Sequence, residues 1–244
     1  MSLREEFESS GNWLFRWRSY PPLLMLGLAV IALKDFKGVY YNSFFDKTWE
    51  LVCLAISLIG IGIRIYTVSS VPKGTSGRNT KSQVADTLNT AGIYSILRHP
   101  LYFGNFLVWF GIAASVRSCW FTTIAVLIFW LYYERIMFAE EEFLRRKFGK
   151  KYLAWSARTP AFFPKFKNWK RSDRSFNLLA GIGSEYSTVF MTIVLYAVLD
   201  ILEDRIVQGH FSLDGLWTPI LAIGLAWYLV VRFFKKRTKL LNKL

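Results

Sequence analysis

Residues 49–68, WELVCLAISLIGIGIRIYTV, and residues 119–138, CWFTTIAVLIFWLYYERIMF, decide the fold class. Each supplies the roughly 20 mostly apolar residues with which a helix crosses a hydrocarbon core about 30 Å thick. Residues 178–201 and 215–234 read the same way. Two shorter or interrupted stretches, 20–33 opened by Pro21 and Pro22, and 101–116 behind Arg98, His99 and Pro100, bring the expected spans to six. At 53% hydrophobic and 18% aromatic residues, the 244-residue chain is heavy for a soluble fold. The expectation is an all-α, polytopic transmembrane helical bundle.

Assigning the net charge of +14 to the segments between spans gives an orientation. With both termini inside, 26 of the 31 Lys and Arg residues fall in 1–20, 64–100, 134–174 and 232–244. Only Lys34, Lys37, Lys47, Arg117 and Arg205 fall on the other face, where Asp200, Glu203, Asp204 and Asp214 make the last loop acidic. This is the positive-inside pattern of a multi-pass protein of the cytoplasmic membrane. It accounts for the basic residues better than nucleic-acid binding does, because they flank spans instead of forming a recognition motif. Residues 1–20 carry Arg4, Glu5, Glu6, Glu8, Arg16 and Arg18 where a cleavable signal would have an apolar run, so the first span is expected to be retained. Cys53 and Cys119 lie in apolar segments without CxxC spacing or a nearby His, and read as small buried side chains; no metal site is expected.

Between spans, residues 71–98 read as a cytoplasmic loop containing Pro72, Gly74 and Gly77. Residues 139–155, AEEEFLRRKFGKKYLAW, place Phe143, Leu144, Phe148, Tyr152 and Leu153 at helical spacing, acids first and bases after, with Gly149 as an interruption. That is a helix leaving the bilayer. Residues 159–177 alternate aromatics with Lys and Arg, which suits either an anionic lipid interface or an ordinary basic loop, and the terminal KKRTKLLNKL suits a snorkelling end. Gly60 and Gly62 read as close-packing positions, with a Gly-x-Gly cofactor element as the alternative; Arg64 reads as a charge near a span end that snorkels, and Glu185 as one that either reaches for headgroups or lines the acceptor route.

Two polar clusters stand where a membrane protein does not place them cheaply. One is GIYSILRHPLYFGN, residues 92–105, entering the third span; the other is YYERIMFAEEE, residues 132–142, leaving the fourth. A short loop around Arg117 joins these spans, so both clusters are expected at the same end of neighbouring antiparallel helices.

Gly92, Tyr94, Arg98, His99, Pro100 and Tyr102, followed by Glu140, Glu141, Leu144, Phe148, Gly149, Tyr152, Pro160 and Pro164, resemble the ordered motif of the isoprenylcysteine carboxyl methyltransferase and phospholipid methyltransferase superfamily. The resemblance covers about residues 50–166. It implies an integral membrane methyltransferase with S-adenosylmethionine held near the cytoplasmic surface under a covering segment, and a lipid or lipidated acceptor entering from the bilayer. It carries cofactor binding onto His99, Glu140 and Glu141, with Tyr94, Arg98, Tyr102 and Asn105 as further wall residues. Carboxylates and aromatic faces suit a cationic sulfonium and ammonium.

One position departs from the pattern. Where the isoprenylcysteine branch carries an Arg four residues before the first Glu, this chain has Ile136, and Arg135 stands one residue away. Either Arg135 takes that role, with Glu134 as the other catalytic candidate on the acceptor side, or the acceptor is not the prenylcysteine carboxylate; the second is favoured, with an oxygen of a phosphate or carboxylate on another membrane lipid as the acceptor. The expected organisation is an N-terminal segment with the first span at 1–48, a methyltransferase core at 49–166, and an added pair of spans with a basic tail at 167–244. The competing classes are a small transporter, against which stand the charges clustered at one face and the lack of a visible inverted repeat, and a non-catalytic lipid-binding protein, which would explain the basic aromatic loop but not the pairing of His99-Pro100 with Glu140-Glu141.

Overall fold

The computed structural model describes residues 2–18, 20–35, 43–72, 83–207 and 209–237. Gly74, Gly77, Lys37 and residues 238–244 lie outside them. Among the described residues the chain is helical, with a single isolated bridge between Gly92 and Lys170. The helices are α1 (Leu3–Trp17), α2 (Pro21–Asp35), α3 (Ser43–Ser69), α4 (Pro100–Ser115), α5 (Cys119–Phe148), α6 (Lys150–Ser156), α7 (Leu178–Val207) and α8 (Trp217–Arg237). Four contain stretches long and apolar enough to cross a membrane, Phe45–Ser69, Cys119–Phe148, Leu178–Ile206 and Trp217–Arg237. Two shorter apolar helices, Met25–Lys34 and Pro100–Ser115, stand where the interrupted spans were expected.

The bundle is organised around α3, which packs along α4 on one side and α7 on the other. Glycines make the first contact flush: a Cβ on Gly60 would come 2.5 Å from the Gly104 carbonyl oxygen, so the α3 and α4 backbones meet directly. Gly62 has open space around it, so of the two only Gly60 is a packing position. One heptad on, Gly111 lies against the Cys53 carbonyl, and Ser57 Oγ bonds the Val108 carbonyl at 3.2 Å and Tyr196 Oη at 3.0 Å, tying α3, α4 and α7 together.

Three features differ from the sequence expectation. Residues 3–17 form an amphipathic helix with a Ser2/Glu5 capping box. It lies on the end of α5 through Arg4–Glu142 and Arg146–Glu8 ion pairs and a Tyr132 hydroxyl bond to the Leu14 carbonyl at 2.6 Å, with Trp13 and Trp17 outward. Cys53 is buried as expected but Cys119 is exposed, because it opens α5 on the outside of the bundle. Arg64 and Glu185 do not reach for headgroups: they pair with each other inside the protein, at 2.8 Å. Gly149, at φ 51°, ends α5, and α6 continues in a new direction.

Candidate active site

Pro100 sets the local geometry. Its fixed φ and missing N–H suit the first turn of a helix, so α4 starts there and His99 becomes the residue just outside it. The segment before it is short of regular structure, and its backbone groups are satisfied by a strap that returns from residues 160–170. Arg98 N–H donates to the Pro160 carbonyl at 2.9 Å, His99 N–H to Ala161 at 3.1 Å, Lys165 N–H to Ile96 at 2.9 Å, and Gly92 N–H to Lys170 at 2.8 Å. Gly92 adopts φ 60° and ψ −135°, a conformation closed to residues with a Cβ. Trp155 of α6 adds an indole N–H bond to the Tyr94 carbonyl at 2.9 Å. In the strap, Phe162 is buried against Phe103 and Phe106 of α4 and Phe129 of α5, while Phe163, Phe166 and Trp169 are exposed. The basic aromatic stretch is thus partly a structural strap and partly an outward surface.

With the backbone so held, side chains of the two polar clusters meet. Arg98 Nε lies 2.8 Å from Glu141 Oε1, and its Nη1 donates to the Ser156 and Thr159 carbonyls at 2.8 and 3.0 Å. His99 Nε2 lies 2.9 Å from Glu141 Oε1, and Nδ1 lies 3.6 Å from Glu140 Oε2. Burial by itself would push the imidazole down, but the hydrogen bonds and charges of Glu140 and Glu141 outweigh it and hold it raised to about 9. The His99 ring stacks on Tyr102 at 5.6 Å, Tyr102 contacts Tyr133 at 5.2 Å, and the Tyr133 hydroxyl accepts from Asn105 Nδ2 at 3.2 Å.

These groups form one wall of a cavity of about 960 Å³ that runs between the helices. At its polar end are Tyr94, Arg98, His99, Tyr102 and Glu140; Asn105 and Tyr133 follow, and then apolar side chains such as Trp109, Ala113, Phe121 and Leu199. Six of the residues singled out in the sequence, Tyr94, Arg98, His99, Tyr102, Asn105 and Glu140, therefore face a single space. Glu141 stands behind them, engaged by Arg98 and His99, so Glu140 is the carboxylate turned to the cavity.

Arg135 and Glu134 stand outside it. Arg135 Nη1 donates to Ser10 Oγ at 3.1 Å and its guanidinium lies over the Phe7 ring at 4.8 Å, both on α1, while Glu134 is exposed. The reason is helical phase: Tyr133 and Glu140, seven residues apart, share the cavity side of α5, and the next two positions after Tyr133 are rotated from it by about 100° and 200°. Arg64, read from the sequence only as a snorkelling charge, also lines the cavity, as does Glu185, for which lining the acceptor route was the alternative reading. The available signal was a pair of opposite charges in two spans near the same expected face. Among the described residues no group of His, Cys, Asp and Glu is arranged to hold a metal ion.

The sequence model of the phospholipid methyltransferase family matches residues 49–151, which contain both polar clusters. The chain is 36% identical over 145 residues to protein-S-isoprenylcysteine O-methyltransferase B of Arabidopsis thaliana, covering 57% of this chain and 72% of that one. It is 30% identical over 162 residues to the nickel-cobalt-cadmium resistance protein NccN of Alcaligenes xylosoxydans xylosoxydans, covering 64% and 73%. To the cobalt-zinc-cadmium resistance protein CzcN of Cupriavidus metallidurans it is 33% identical over 134 residues, covering 54% and 59%. No solved structure matches the chain.

Proposed function

Because the chain belongs to the isoprenylcysteine and phospholipid methyltransferase superfamily of membrane enzymes, we propose that it moves a methyl group from S-adenosylmethionine to an oxygen of a membrane-embedded lipid or lipidated acceptor. The observation that carries the reading is the cavity itself, polar at the His99 end and apolar beyond Tyr133. Such a space accommodates a polar, cationic donor and a hydrophobic acceptor together. The core is residues 49–166, with the polar end facing the cytoplasm and residues 167–244 as an added pair of spans.

The residues present fit the donor. Glu140 offers a carboxylate, one-third exposed toward the cavity, and Tyr94 and Tyr102 offer aromatic surfaces; both are groups that attract a cation. When bound, S-adenosylmethionine supplies an electrophilic methyl carbon on a positive sulfur. Glu141 acts through His99 and Arg98, fixing the imidazole beside Glu140. Phe162 and the strap close the space between α4 and α5 against water. A phosphate or carboxylate oxygen brings its own negative charge: its lone pair forms the new O–C bond, the C–S electrons remain on sulfur, and no proton moves. Because opposite charges cancel during this transfer, a dry apolar cavity favours it, and positioning replaces a catalytic base.

The purified protein in detergent is expected to bind S-adenosylmethionine or its demethylated product. Glu140→Ala and His99→Ala are each expected to weaken binding by about 100-fold, the scale of breaking a buried charged pair. Wild-type affinity in both variants would remove the assignment. Incubation of membranes with methyl-labelled donor then sorts the acceptor by whether label enters the lipid or the protein fraction.

A further inference from the structure

Helix α7 begins beyond residue 151, where the family match ends, yet it adds a buried acid to the cavity wall. The Glu185 side chain is 2% exposed and is met by Arg64 of α3 in a two-pronged pair, Nε to Oε2 at 2.9 Å and Nη2 to Oε1 at 2.9 Å. The remaining guanidinium nitrogen, Nη1, donates to Asn105 Oδ1. The stem of Arg64 runs over Gly104, where a Cβ would come 2.6 Å from its Cγ. Every nitrogen of one arginine is therefore held, beside a cavity and within the apolar bundle. An apolar pair would join α3 to α7 without the desolvation cost of two charges, and this pair, unlike one sealed in packing, lines a cavity.

The surroundings give that role a sign and a place. The charged lining sets Arg18, Arg64, Arg98 and Lys235 against Glu140 and Glu185, an excess of positive charge. Beside Glu185, the residues Ser184, Ser187 and Thr188 line the same space. Helix α5 supplies no cation to this stretch of wall, since Ile136 is fully buried and Arg135 faces α1. Asn105 lies six residues beyond His99, about 9 Å along α4, where the polar lining gives way to the apolar part. An anionic headgroup held there would sit between the donor's end and its own hydrocarbon chain.

Resting on the methyl-transfer reading above, we infer that Arg64, clamped by Glu185 and Asn105, is the acceptor-specificity residue of this chain and binds the anionic oxygen headgroup, phosphate or carboxylate, of a lipid. The full chain in neutral detergent is titrated with dodecyl phosphate, dodecanoate and dodecyltrimethylammonium, and separately with S-adenosylhomocysteine. The wild type prefers one of the two anions over the ammonium by at least about tenfold, and which anion wins separates phosphate from carboxylate. Arg64→Gln loses about tenfold or more in anion affinity while S-adenosylhomocysteine binding stays within about twofold. Glu185→Gln removes the negative charge beside Arg64 and leaves the amide oxygen as a single acceptor for the guanidinium, so anion binding tightens. Equal affinity of the wild type for anion and ammonium, or an unchanged anion affinity in Arg64→Gln, overturns the inference. Where Arg64→Gln fails to fold, the sign of the Glu185→Gln effect decides, and weaker anion binding overturns it. Failure of the wild type to bind S-adenosylhomocysteine overturns the methyl-transfer reading instead, whatever the amphiphiles do.

Discussion

The bundle carries a knot of charges at each end, and the two are built to opposite purposes. At the His99 end, Arg98 and His99 take up Glu141, and a second carboxylate, Glu140, is left facing a cavity of about 960 Å³. At the other end, Arg117 between α4 and α5 pairs with Asp46 of α3 at 2.6 Å and with Glu203 of α7, Trp217 donates its indole N–H to Glu50 at 2.8 Å, and the enclosed space is about 10 Å³. That volume is about one water probe, so nothing larger has room. Arg117 even takes a φ of 58°, a conformation that a residue with a side chain adopts only when its surroundings hold it there. Buried charge therefore does not mark a site by itself; what marks it is a charged group left facing space.

The comparison can be broken most forcefully at the closed end. Arg117→Ala leaves Asp46 and Glu203 without their shared partner and is expected to cost about 3–5 kcal/mol of stability, read as a lower unfolding midpoint in detergent, with cofactor-product affinity of the folded fraction unchanged. An equal loss of affinity would mean that the two ends are coupled. Glu141→Gln should give the reverse pattern: binding of S-adenosylhomocysteine weakened by about 10- to 100-fold, because His99 and Arg98 lose their shared anion, with a smaller change in midpoint.

A pH series sharpens the same contrast. The His99 imidazole is raised from its ordinary 6.5 to about 9 in the folded protein. The stability it contributes is thus fully present below about 6.5 and is lost as pH climbs through about 9. The unfolding midpoint of the wild type should fall across that window more steeply than that of His99→Gln; parallel curves would show that the imidazole is not charged in the fold. The smallest effect is expected from Trp155→Phe, which removes the indole bond to the Tyr94 carbonyl and should cost about 1 kcal/mol, with a slight loosening of cofactor binding.

The motif clusters were legible because their chemistry is local: Arg98, His99, Glu140 and Glu141 stand at span ends where charge is expensive, and the short turn at Arg117 brings the spans together. Helix α1 was not legible as a helix, since its apolar stripe is too narrow to read as a span, and only the landing surface on α5 shows what it covers. Arg135 illustrates the converse. Its position next to the family's arginine suggested an acceptor role, but one residue of helical phase turns it to α1.

What the amino-acid order determined by itself is the class of molecule and the end at which its polar motifs gather, because apolar run length and flanking charge act along the chain and need no partner to be read. Which motif residue faces the cavity, and that Arg64 and Glu185, 121 positions apart, close on each other, was decided only by the packing of α3 against α4 and α7. Side-chain direction depends on how helices are rotated about their axes, and that rotation is set by glycine contacts such as Gly60 on Gly104, which act between helices distant in sequence.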